Sequence, residues 1–246
     1  MANWAFEIDY ANNYIVGLTE ILVDKGFRIW CFLNDGQPLY LFSSEYLSAT
    51  PDDEVNAQAR QLVRFIDGLS YLLFENKDNV NKITLTTVID LNTFSIANVQ
   101  RAGNIPATLH VDFSVYKPGI EDDENPMAHL LKLVPAEVFI RDLLLAFSQG
   151  MDFKSMLLGY NLIKSFIAAR GDALTSFDFS KATLDRFTHT AKQEAPEDPM
   201  PLKVAQELIS ELVFAVVERY YNVHLKHCVV KDKNADWDDI YDSLYD

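Results

Sequence analysis

The stretch Val55–Leu73 constrains the fold more than any other part of the chain. Val55, Ala59, Leu62, Phe65, Ile66, Leu69, Leu72 and Leu73 recur there at helical spacing, which makes an amphipathic helix with a wide apolar stripe. Thr50 suits its N-cap, Pro51 its first helical position, and Asp52, Asp53 and Glu54 favour the positive end of its dipole. The polar run Asn76-Lys77-Asp78-Asn79 ends it. Such a stripe is stable only when another apolar surface covers it, so the rest of the chain must supply one.

Strands are the expected source of that surface. Residues 4–48 read as strands, with a hairpin in which 27–33 and 38–42 flank Asn34-Asp35-Gly36, a turn whose residues tolerate positive φ. The β-branched run 15–23 reads as an earlier strand. Two further runs, 83–91 and 108–116, are separated by a polar stretch holding Gly103 and Pro106. After Lys117-Pro118-Gly119, the acidic run 121–124 and Asn125-Pro126 read as a solvated connection.

Beyond it the period is helical. Residues 135–148 are apolar on most faces and stop near Gly150, Asp152 caps a helix over 153–169, and Ser180 caps a shorter one through Leu184, Phe187 and Ala191. A polar loop, 193–201, leads into a last helix over about 202–221. Four helices with short connections suggest a bundle. The expected class is α+β: an N-terminal antiparallel sheet packed with one long helix, then a C-terminal antiparallel helical bundle. The expected units are a mixed strand/helix domain over 1–118, a helical domain over 119–231 and an acidic-aromatic tail over 232–246.

An apolar fraction of 49% is ample for a packed core. Cys31 and Cys228 cannot build a disulfide framework and fit a reducing compartment. The acidic N-terminus lacks the basic and long apolar regions of a signal peptide. The apolar run 138–147 is interrupted by Arg141 and Asp142 and falls far short of the roughly 20 residues that a membrane span needs. A cytoplasmic location without membrane association is the expectation.

The formal charge of −15 argues against a DNA groove or an anionic membrane surface. The acidity of the C-terminal half is concentrated in 121–124 and in 232–246, where six Asp meet one Lys. The helical body between them is near neutral, which leaves room for a local basic site. That tail carries Trp237, Ile240, Tyr241, Leu244 and Tyr245 at the spacing of one helical stripe, so it is a candidate partner-binding segment, able to dock on its own body or in another protein's groove.

No phosphate-binding glycine loop, Gly-x-Ser-x-Gly elbow or His-Glu-x-x-His is present, and no cofactor is expected. His224, His227 and Cys228 form the one compact cluster of metal-ligand types, but four ligands make a structural zinc site, so no metal is expected either. Arg186 and His189, at i and i+3, share one helix face. They are either an anion-binding pair or a structural one, with Arg186 bonding a carbonyl or carboxylate and His189 closing the helix end.

Arg219 and His224 stand at an Arg-x4-His spacing that resembles the active-site helix of HEPN ribonucleases, helical bundles that usually dimerise to build the site. The position after the arginine, usually small and polar in that family, is Tyr220 here. The resemblance implies metal-independent RNA cleavage, with Arg219 holding the scissile phosphate and His224 moving protons. The other reading of the pair is a surface arginine and a histidine at a helix C-terminus.

A second resemblance rests on Arg186-Phe187-Thr188-His189-Thr190-Ala191 followed by Pro199-Met200-Pro201-Leu202 and Ala205, together with Phe42-Ser43-Ser44-Glu45 ahead of the Val55–Leu73 helix. This order is similar to a family of largely uncharacterised bacterial proteins with a β/α N-terminal half and a HEPN-like helical C-terminal half. In that family an arginine-histidine pair lies in the intervening loop, where this chain has Lys192-Gln193-Glu194-Ala195. Two functions follow as expectations. One is a non-enzymatic adaptor of bacterial type, engaging a protein partner or a second copy through its helical domain or tail, with a defence or toxin system as its setting. The alternative is a HEPN-like ribonuclease with RNA as its partner.

Overall fold

The structure is a computed structural model. It describes residues 4–9, 13–22, 26–34, 37–48, 54–75, 77–91, 95–96, 126–192 and 198–225. It is an α+β fold. An antiparallel sheet in the order β2-β3-β1-β4-β5 is built from β1 (Trp4–Ile8), β2 (Arg28–Asn34), β3 (Gln37–Ser43), β4 (Leu85–Asp90) and β5 (Ser95–Ile96). The expected hairpin is β2–β3, in register from Arg28↔Ser43 to Asn34↔Gln37. The connecting Asp35 and Gly36 lie outside the described residues, as do the 108–116 run and the proposed cap residues Thr50 to Asp53.

The described part of the run, residues 15–22, is not a strand. It forms most of helix α1 (Asn13–Ile21). Its β-branched content suits a strand, but its buried residues are Tyr14, Ile15, Leu18 and Leu22, a helical spacing, and tertiary burial overrides local propensity. Tyr14 anchors the helix. Its hydroxyl donates to Ser70 Oγ at 2.9 Å, and its ring meets Phe74 edge-on at 5.6 Å.

Ser70 and Phe74 belong to the end of the long helix α2 (Val55–Leu73). It ends as expected but begins at Val55, with Glu54 and not Thr50 at its N-cap, and its burial is wider than one face: 14 of its 19 residues are buried, Asn56, Gln58, Asp67 and Ser70 among them. The cause is helix α4 (Val138–Phe147), which packs along α2. This crossing lets Gly68 approach the backbone of Leu144.

The expected solvated connection at Pro126 is instead the start of a further helix, α3 (Pro126–Leu133). Proline at the first helical position is a start signal, and Met127, Leu130 and Leu131 are buried. Arg141 of α4 covers the end of α3, its Nη1 donating to the carbonyls of Val134 at 3.0 Å and Pro135 at 2.9 Å. The helical part therefore holds five described helices rather than four: α3, α4, α5 (Phe153–Ala168), α6 (Lys181–Ala191) and α7 (Leu202–Tyr221).

Helix α5 is their hub, packing against α4, α6 and α7. Gln206 near the start of α7 bonds the carbonyl of Met151 just ahead of α5, while Tyr220 and Tyr221 at the end of α7 stand by Phe166 near the end of α5. These two helices thus run parallel. Asp152 and Ser180 cap α5 and α6 as expected, accepting from Ser155 N at 2.7 Å and Thr183 N at 3.1 Å. That bond holds the Asp152 carboxyl below the usual carboxylate range. Buried residues of the sheet, of α1 and α2, and of α3 to α7 form one continuous cluster.

Candidate functional site

The end of α7 gathers most of the chemistry that the sequence singled out. α7 stops because Asn222 adopts a left-handed conformation (φ 55°, ψ 37°), its N–H bonding Glu218 O. Arg219 lies inside the helix and His224 beyond its end, so the two do not share a helical face.

Arg219 is held by the connection between α5 and the short 3-10 turn Leu174–Phe177. Its Nη2 contacts both Asp172 oxygens, at 3.1 Å and 2.9 Å, and its Nη1 donates to Ser176 O and Oγ at 3.2 Å and 3.0 Å. Its guanidinium also lies 4.8 Å from the centre of the Phe177 ring. His224 goes elsewhere: Nδ1 stands 3.0 Å from Glu218 Oε1 on the exposed surface.

Carboxylates govern the neighbourhood. Tyr220 donates its hydroxyl to Asp172 Oδ2, and Tyr221 donates to Glu137 Oε2 at 3.0 Å. Desolvation, then these carboxylates, pushes both phenols above their ordinary range. Arg170 adds a cation here, lying 3.5 Å over the Phe166 ring and 5.3 Å from that of Tyr220. Phe166 is stacked in turn on Phe139 at 3.8 Å. The local basic site that a near-neutral helical body left open is, at this helix end, an aromatic cluster in which carboxylates answer Arg219 and His224.

The second candidate pair has a structural account. Arg186 clasps the far end of the loop after α6, with Nη2 2.9 Å from Asp198 Oδ1 and 3.2 Å from Pro199 O, and Nε 3.1 Å from Asp198 O. Thr190 completes the clip, accepting from Met200 N at 2.9 Å and donating to Arg186 O. Phe187 and Met200 are buried beneath. The Arg-Phe-x-His-Thr-Ala and Pro-Met segments are thus the two sides of one loop closure, while His189 is exposed near the end of α6.

Among the described residues no group of three or more His, Cys, Asp or Glu could hold a metal ion. His227 and Cys228 lie outside them, as do Trp237, Ile240, Tyr241, Leu244 and Tyr245. No described helix is long and apolar enough to cross a membrane.

Two features escaped the sequence reading. One is Asp67, buried on α2, whose Oδ1 accepts from Ile83 N at 3.1 Å at the approach to β4. Desolvation by burial raises its pKa to about 7, against the lowering effects of that bond, Lys82 and Arg64. Its apolar neighbours in sequence hide it in the helical stripe. The other is an open groove between α7 and the 3-10 turn, lined by Phe177, Phe179, Phe214 and Leu225 with Glu211 and Glu218. The seven-residue repeat of Glu211 and Glu218 was its legible signal. The chain matches no protein-family model, no curated protein and no solved structure at a significant level.

Proposed function

We propose that the protein is a non-enzymatic interaction module that engages a protein partner through its helical part. One observation carries this reading: Arg219 and His224 are engaged by two different carboxylates, Asp172 and Glu218. An arginine that holds a scissile phosphate needs free donors facing the anion. A proton-transferring histidine must reach the same phosphate. Here the Nη1 and Nη2 groups of Arg219 are taken up by Asp172 and Ser176, and the neighbouring carboxylates repel a polyanion.

Two measurements test the reading. In metal-free buffer, wild type and His224→Ala should leave RNA equally intact; cleavage by wild type that is lost in the variant would overturn it. The full chain should also recover from its source cell a protein that, made recombinantly, reassembles with it at defined stoichiometry in size-exclusion chromatography with light scattering. Failure of every co-purified protein to reassemble would remove the support for a partner.

A further inference from the structure

The interaction reading leaves open which surface the partner uses and what kind of partner it fits. Building on that reading, we propose that the groove between α7 and the 3-10 turn Leu174–Phe177 is the docking site for a basic amphipathic helix of another protein.

The groove has a volume of about 500 Å³ and is open to solvent along α7. Its apolar part is made by Phe177, Phe179, Phe214 and Leu225, with Phe177 and Phe214 buried and Phe179 and Leu225 partly buried. An anchor side chain entering here meets ring faces that are already packed, so little of the host has to be ordered on binding. Along the α7 side stand Glu211 and Glu218, both exposed. Seven residues are about two helical turns, a spacing of roughly 10.5 Å. A guest helix lying along α7 repeats that spacing with two Lys or Arg seven residues apart, while its apolar i, i+3 and i+4 residues face the rings.

Charge selects this occupant over the alternatives. A second copy docking through the same face brings its own Glu211 and Glu218 to the contact, and like charges oppose association. The acidic end of the chain itself, with six Asp and one Lys over 232–246, would set its aspartates against Glu211 and Glu218. A basic guest removes that repulsion and exchanges with His224 for the Glu218 carboxylate, 3.0 Å from His224 Nδ1.

The probe is a synthetic 18-residue amphipathic peptide with a Leu stripe and Lys seven residues apart, together with its Glu-for-Lys twin, titrated against the full chain by fluorescence polarisation. The basic peptide should bind and the acidic twin should not. Replacing both rim carboxylates, Glu211→Gln with Glu218→Gln, should weaken binding about tenfold, as two exposed ion pairs near the top of their range would. Phe179→Ser, at a ring packed against the core, should weaken it and also lower thermal stability, so binding is compared at a temperature where a melt shows the variant folded. The charge-matched control, Asp9→Asn with Glu75→Gln at exposed positions outside the helical part, should bind within about twofold of wild type.

Equal loss in the control would reduce the effect to bulk charge and overturn the site. Binding that appears only after Lys226→Glu with Lys231→Glu would mean that the chain's own 226–231 segment fills the groove, which also overturns it. So would a wild-type dimer dissolved by Phe179→Ser. If no peptide binds while a recombinant partner complex still assembles, the docking site is wrong and the interaction reading stands. If that complex also fails to assemble, both fall.

Discussion

Gly68 of α2 lies against Leu144 of α4 so closely that a Cβ added at Gly68 would stand 1.9 Å from the Leu144 carbonyl oxygen. The obstacle is backbone, which cannot turn aside as a side chain can. Gly68→Ala should therefore push α2 off α4 and cost about 3 kcal/mol or more, at the upper end of overpacking effects. Urea denaturation of the two proteins measures it. A stabilised alanine variant, as helix propensity alone would give, would show that the two helices are not in this contact.

Asp67 should make stability depend on pH. Its pKa is raised to about 7, against roughly 3.9 in the unfolded chain. Between those values the folded state holds a proton that the unfolded state has lost. Its stabilising effect is thus full below about pH 4 and is lost as pH rises through 7. Asp67→Asn keeps an oxygen for Ile83 N and never ionises. The gap in melting temperature between variant and wild type should widen in favour of the variant from about pH 4 to about pH 7 and then level off. A few kcal/mol is the expected scale. A gap that is the same at both pH values would mean that Asp67 does not titrate there.

The Arg219–Asp172 pair is partly exposed, so its role in stability is modest. A double-mutant cycle on Arg219→Ala and Asp172→Ala should return a coupling of about 1 kcal/mol or less. Tyr220→Phe, which removes a donor to the same carboxylate, should reduce that coupling only slightly. Coupling of several kcal/mol would place the pair in a far drier setting than its exposure implies.

Thr190→Val keeps the shape of the side chain but removes the acceptor for the backbone N–H of Met200, a buried residue. Leaving that group unsatisfied should cost about 1–3 kcal/mol. Thr190→Ser, which keeps the oxygen, should recover most of the loss in thermal melts. If the serine and valine variants behave alike, the clip between α6 and Met200 contributes nothing through this bond.

Local rules read well wherever one short segment supplies its own partners. Asp152 and Ser180 each satisfy an N–H three residues on, within their own helices. The β2–β3 hairpin follows from two apolar runs around Asn34-Asp35-Gly36, although Asn34 itself ends β2, paired with Gln37. Reading failed where a neighbour distant in sequence decided the outcome. The 15–23 run has the composition of a strand, yet Ile15, Leu18 and Leu22 are buried at helical spacing, and Tyr14 just before them bonds Ser70 across 56 positions. At Pro126 the preceding acidic run drew the reading toward a connection, although proline followed by Met127, Leu130 and Leu131 was a legible helix start.

The candidate site divides in the same way. The sequence by itself determined the ingredients: an α+β chain, a long α2 at its centre, Arg219 and His224 near the end of the last helix, and Glu211 and Glu218 seven residues apart. Helix period, caps and charge are set within a few residues of chain, so they can be read without coordinates. Only the tertiary structure decided what those ingredients meet. Asp172 comes from 47 positions away to hold Arg219, and Phe177 and Phe179 arrive beside α7 to make an acidic-edged groove. Ion pairs and grooves depend on distance through space, and only the packing of α5 against α7 brings those segments together.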